Sequence, residues 1–146
     1  MKAKEQLQKE YLLLQKQLFW LELSYKEVKI IRLQDTYEVN QYTAFETLST
    51  RYIKSIEFLL NKSFVSICNY EFESTYTHQE LINNIQKRKL IDTDDGFRQL
   101  YDLRVKLEKE YISDNLTNHF EELYFSSKLL ITTINNTLNY INKAIR

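Results

Sequence analysis

Residues 3–32, AKEQLQKEYLLLQKQLFWLELSYKEVKIIR, decide the fold of this chain. Leu7, Tyr11, Leu14, Leu18, Leu21, Tyr25 and Val28 follow one another at alternating steps of four and three. That period keeps one face of an α-helix apolar, here over about eight turns. Leu13, Phe19, Trp20, Leu23 and Ile31 widen the apolar surface beyond a narrow strip. The helix is therefore expected to pack against more than one neighbour, within the chain or across a dimer, and not as a strict coiled-coil seam.

The rest of the composition agrees with long helices. The chain has 146 residues, 43% of them hydrophobic, which suits one domain spanning residues 1–146 with a single core. It has no proline and one glycine, Gly96. Tight turns and hairpins are thereby disfavoured, and dinucleotide fingerprints, P-loops and nucleophile elbows are excluded, because each needs glycine where the backbone turns sharply or approaches a ligand. The 20 Lys and Arg residues balance the 20 Asp and Glu residues, so no global field gathers nucleic acid or an anionic membrane. Cys68 has no second cysteine to pair with and reads as a small buried residue of a reducing compartment. The opening MKAKEQLQKEY lacks the apolar core of an export signal, and no run approaches the roughly 18 apolar residues of a membrane span. A cytoplasmic protein with no membrane partner is expected.

Downstream, Phe45, Leu48, Tyr52, Ile56, Leu59 and Ile67 predict a second helix from about Tyr42 to Tyr70, with Thr36 as an earlier candidate N-cap. Residues 71–77, EFESTYT, read as a loop with buried aromatic anchors. Thr77 and Glu80 form a T-x-x-E capping box that opens a short third helix to about Lys89. Its basic end, QKRK, either matches the helix dipole or forms a local phosphate-binding patch. Asp92 or Thr93 caps a fourth helix ending near Ile112. Asp114 begins a fifth, whose seam is Phe120, Leu123, Leu130, Ile134, Leu138, Ile141 and Ile145. The fold class is thus all-α, an antiparallel bundle of about five helices.

The side chains offer little catalytic chemistry. His78 and His119 lie on different elements, and no cysteine or carboxylate cluster has metal-site spacing, so neither a metal nor a cofactor is expected. The tyrosines at seam positions, Tyr11, Tyr25 and Tyr52, read as core and interface residues. An RNA-binding face needs aromatics among cations. The candidate is the fourth helix with Arg98, Tyr101, Arg104, Lys106, Lys109 and Tyr111, although Asp102, Glu108 and Glu110 offset much of its charge. On that helix Phe97, Leu100, Arg104, Leu107 and Tyr111 share one face, and a guanidinium on such a stripe needs an acidic partner or a cleft.

Residues 90–111, LIDTDDGFRQLYDLRVKLEKEY, resemble the signature region of HEPN-domain proteins of the HepT-like kind, in which a turn leads into a helix reading approximately L-R-N-x-x-x-H-x-Y. The likeness extends to the long first helix, to residues 44–59, AFETLSTRYIKSIEFL, and to the last helix after EYISDN. It implies a HEPN-like bundle that dimerises, with the motif arginines of two subunits lining a shared cleft. It also implies a place in a toxin–antitoxin or defence module. Arg104 matches the motif arginine and Tyr111 its tyrosine, which in this family accepts a nucleotide from a cognate nucleotidyltransferase.

Two positions depart from the ribonuclease pattern R-x4-H: Val105 stands at the usual polar position and Lys109 at the histidine. A histidine can give and take protons near neutral pH, whereas an exposed lysine stays protonated to about pH 10. The resemblance thus implies a degenerate nuclease that works through dimerisation, a protein partner or RNA, with Arg98, Arg104 and Lys109 as binding candidates. The alternatives are an active metal-independent ribonuclease, with Arg104 holding phosphate and Lys109 or His119 moving protons, and a purely structural interaction protein. Without a substrate role, Arg104 would answer an acid across the dimer and Tyr111 would close the helix seam.

Overall fold

The computed structural model describes residues 2–73, 77–91, 95–111 and 113–146. Among these every regular element is helical: α1 (Lys2–Lys29), α2 (Val39–Phe58), a π turn (Leu59–Ser63), α3 (Phe64–Tyr70), α4 (His78–Lys87), α5 (Gly96–Lys109), a 3-10 segment (Ser113–His119) and α6 (Phe120–Ala144). α2, the π turn and α3 form one continuous rod, because the junction residues keep right-handed helical torsions. The expected second helix is therefore present, with an earlier start. Its N-cap is Glu38, not Thr36, and the Glu38 N–H donates to Gln41 Oε1 at 3.1 Å. The π turn widens the helix where Leu59, Leu60, Ser63 and Phe64 are all buried, including an adjacent leucine pair that ordinary 3.6-residue spacing would splay by about 100°.

Pairs of contacts fix the directions. Phe45 stacks on Phe120 with centroids 4.1 Å apart, and Tyr70 Oη donates to the Ala144 carbonyl at 3.2 Å, so α2, α3 and α6 run the same way. Tyr25 stacks on Tyr124 while Tyr11 and Leu138 line one groove, so α1 runs against α6. Arg104 meets Glu57 and Phe97 meets Phe64, so α5 also runs against α2 and α3. The core of the bundle is thus antiparallel, as the sequence predicts, and the start of α4 lies beside α5, where His78 neighbours Phe97 and Tyr101.

The seam of α1 is turned slightly from the predicted one. Leu7, Leu14, Leu21 and Val28 are fully buried, but between them it is Glu10 and Ser24 that go deepest, while Tyr11, Leu18 and Tyr25 lie at the edge facing α6. Glu10, only 2% exposed, reaches Ser66 on α3, and its Oε2 has no hydrogen-bond partner. Burial pushes its pKa up, against the lowering by bonds from Ser66 and Gln6.

Two loop readings change. Phe72 is not a buried anchor: it is 97% exposed and ends α3 in the left-handed region at φ 59°. Tyr76, the other aromatic of that loop, lies outside the described residues. The proposed caps Asp92 and Thr93 also lie outside them, and α5 instead has Asp95 as N-cap, without a side-chain capping bond. Thr77 caps α4 as expected, its Oγ1 accepting the Glu80 N–H at 3.1 Å, which is the threonine half of the T-x-x-E box.

Candidate functional site

α5 is held by its apolar face. Phe97, Leu100, Leu103 and Leu107 are buried, and Tyr52 Oη on α2 donates to the Leu100 carbonyl at 2.8 Å. That bond sits in the core, where burial pushes the Tyr52 pKa up and keeps the hydroxyl a donor. Leu103 takes the central place on the stripe, which moves Arg104 to its edge with a side chain 17% exposed.

The acidic partner that Arg104 requires comes from its own chain. Nη2 lies 2.9 Å from Glu57 Oε1 on α2 and 3.3 Å from Glu108 Oε1 one turn on, with the guanidinium carbon 5.5 Å from the Tyr101 ring centroid. Burial works against its charge, but the bond to Glu57 and the fields of Glu108 and Glu57 outweigh it, so the pKa is raised and Arg104 stays cationic. Nε is buried without a partner. The guanidinium is therefore already engaged through Nη2.

Beyond Tyr101 lies a cleft of about 510 Å³ between one side of α4, from His78 to Gln86, and the first turns of α5. His78 sits 5.2 Å from the Tyr101 ring in a tilted arrangement, Gln79 and Gln86 supply amides, Arg98 stands at the lip, and Asp95 is the one acid of the lining among the described residues. The cleft can hold a planar group against aromatic faces and hydrogen-bond its edge. His78, Gln79 and Gln86 escape the sequence reading because nothing local shows α4 abutting the start of α5. Only the Thr77 cap, which fixes His78 at the first turn, was available as a signal.

The remaining candidates lie apart. Arg98 is exposed, 3.8 Å from Asp102, and lines the cleft. Lys109 is exposed, and five residues along a helix turn it about 140° from Arg104, so the two do not converge within one chain. Tyr111 does not close the seam: the backbone becomes extended at Glu110, and Tyr111 is 89% exposed. His119 Nε2 is 3.7 Å from Glu110 Oε1, and no contact among the described residues joins it to Arg104.

The basic end of α4 serves the first of its two expected purposes, since Lys87 stands in the last turn and Arg88 caps it, where cations meet the negative end of the helix dipole. Arg88, with a side chain only 7% exposed, donates to Glu71 Oε1 at 2.7 Å, Glu73 Oε1 at 2.8 Å and the Asn84 carbonyl at 2.6 Å. Tyr140 on α6 also donates to Glu71. The arginine thus ties the end of α4 to the loop after α3 and to α6, leaving no phosphate site at that residue.

Among the described residues no three His, Cys, Asp or Glu side chains come close enough to hold a metal ion, and no helix is long and apolar enough to cross a membrane. Cys68 is buried as a free thiol. No protein-family model, curated protein or solved structure matches the chain.

Proposed function

We propose that this protein is a HEPN, HepT-like component of a toxin–antitoxin or related defence module, with a degenerate nuclease motif. It forms a homodimer through the face of α5 that bears Arg104, and it binds a protein partner or RNA without cutting RNA. The observation that carries this reading is the state of Arg104. Its Nη2 is occupied by Glu57 and Glu108, and its motif partner is Lys109, turned to another side of the helix. Both histidines are engaged elsewhere, His119 beside Glu110 and His78 beside Tyr101. The family's ribonuclease pattern needs its proton-transfer histidine within hydrogen-bond reach of the bound phosphate; neither histidine nor Lys109 stands beside Arg104, whose neighbours are the carboxylates of Glu57 and Glu108. RNA binding is supported by the cleft next to it, which sets Arg98 beside the faces of His78 and Tyr101.

The cognate partner in this reading is a small nucleotidyltransferase, and Tyr111 is the acceptor because its side chain stands clear of the bundle. The test combines a fluorescent RNA assay with light scattering. The expected result is no cleavage by wild type or by Arg104→Ala, weaker RNA retention by Tyr101→Ala, and a mass twice 17.7 kDa that Val105→Glu halves. Cleavage by wild type that Arg104→Ala abolishes would establish the ribonuclease instead. A monomer at micromolar concentration would sink the dimer.

A further inference from the structure

The outer side of α1 carries a second pattern that the core does not use. Leu12, Phe19 and Leu23 lie on one stripe at steps of seven and four, and each is exposed, Leu12 and Phe19 to 60%. Lys16 and Lys26 fill the intervening heptad places of the same stripe. Beside it α1 and α6 enclose two clefts of about 490 and 460 Å³ that share Glu22 and Lys26. They therefore form one groove, running from Tyr11 to Lys29, about 27 Å at helical rise. Leu18, Leu23, Tyr124, Phe125 and Ile131 give it an apolar lining. Lys26, Lys29 and Lys128 stand along it, exposed and without an ion-pair partner among the described residues, against the single acid Glu22.

Charge decides what can lie there. A second copy in the antiparallel register that sets Phe19 against Leu23 places Lys16 opposite Lys26, and a parallel pairing sets each lysine against itself. Both registers bring like charges together along an apolar seam, which disfavours a specific in-register dimer through it but not the loose association of exposed apolar surface near the isoelectric point. A groove between two helices, with apolar side chains interspersed with the amides of Gln15, Asn135 and Asn139 and with a lysine rim, matches an amphipathic helix better than a flat lipid surface. We propose that the α1–α6 groove is the docking site for an amphipathic helix of a partner protein, its apolar stripe flanked by acidic residues. This inference does not depend on the HEPN reading, because it uses a face other than that of Arg104.

Trp20, the only tryptophan, neighbours Phe19 with centroids 5.2 Å apart and reports on this surface. The test titrates the full chain with two synthetic helical peptides of about 18 residues, sharing one leucine stripe and flanked either by glutamates or by lysines. Anisotropy of the labelled peptide and Trp20 fluorescence give the affinities. The acidic peptide is expected to bind about tenfold tighter or better, to weaken with salt, and to lose its preference when Lys26→Glu and Lys128→Glu are combined. Leu23→Asp, at an exposed position, should abolish binding with unchanged circular dichroism and unchanged mass by light scattering. Equal affinity for the two peptides, binding of neither, or capture by anionic phospholipid vesicles in place of the peptide would overturn the proposal. A dimer split by Leu23→Asp would assign the groove to a second copy instead, an outcome distinct from failure of the Arg104 interface, which Val105→Glu reads.

Discussion

Arg88 and Arg104 both bring a guanidinium to a helix junction, yet burial gives them different weight. Arg88 is nearly enclosed, and its removal strands carboxylates that also hold Tyr140; Arg104 has two glutamate partners that are each 41% exposed and hydrated without it. Arg88→Met is expected to cost about 3 kcal/mol, against about 1 kcal/mol for Arg104→Met, where exposed partners discount the pair. Urea denaturation midpoints at neutral pH check the order. Glu10 supplies the pH test. Its folded-state pKa is raised above the ordinary carboxylate value of 4.5, so the native state holds more protons than the unfolded one between the two values. Stability is therefore lost as pH rises through that window, and the penalty is complete above it. Glu10→Gln is expected to raise the melting temperature at neutral pH, with the gain vanishing below about pH 4; a gain that persists in acid would mean that the charge is not its source. The sequence showed that Arg104 needed a partner, but Glu57 lies 47 residues away and no local pattern could select it. Glu10 was missed because steps of three and four are both helical, and the apolar Tyr11 drew the seam one residue too far.

The ends of the helices show what a chain with one glycine must do. At the close of α3 the Glu73 N–H donates to the Cys68 carbonyl at 2.8 Å, and the Phe72 N–H to the Asn69 carbonyl at 3.2 Å, the crossed pair of a Schellman motif. The residue between the helix and this return must be left-handed, a place usually given to glycine, and here it is an exposed phenylalanine. A side chain in that conformation costs about 1 to 2 kcal/mol, partly offset because glycine loses more freedom on folding. Phe72→Gly is expected to stabilise the protein by up to about 1 kcal/mol, read as a raised thermal midpoint; a lowered midpoint would show that the ring is held by contacts it does not make in this structure. This also explains how the loop was misread: an aromatic in a short polar stretch suggests an anchor, while the need for a left-handed residue leaves no mark when glycine is absent. Elements with their own chemistry were legible, such as the Thr77 cap and the second helix. The π turn was not, because two adjacent buried leucines look the same in sequence as one buried and one exposed.

At the scale of the molecule, the four-and-three period of α1 was enough to predict a helical bundle, but not which apolar residues the bundle would leave outside. Leu12, Phe19, Leu23 and Phe125 remain exposed on the α1–α6 side, and the formal net charge is zero, with a pI near 6.7. Copies of a molecule without net charge are not held apart by long-range repulsion, so exposed apolar stripes meet at short range. The free protein is therefore expected to be least soluble near pH 6.7, with the soluble concentration after centrifugation rising above and below it. Phe19→Asp and Leu23→Asp should each raise the minimum itself, by adding charge and interrupting the stripe together. Both positions face solvent, so each is expected to change folding stability by no more than about 0.5 kcal/mol. If solubility rises only as far as an added aspartate on the opposite side of the bundle raises it, charge alone limits solubility and the stripe does not mediate association. A greater rise at Phe19 and Leu23 than at that control would locate the sticky surface on α1, the face left open for an acidic helix.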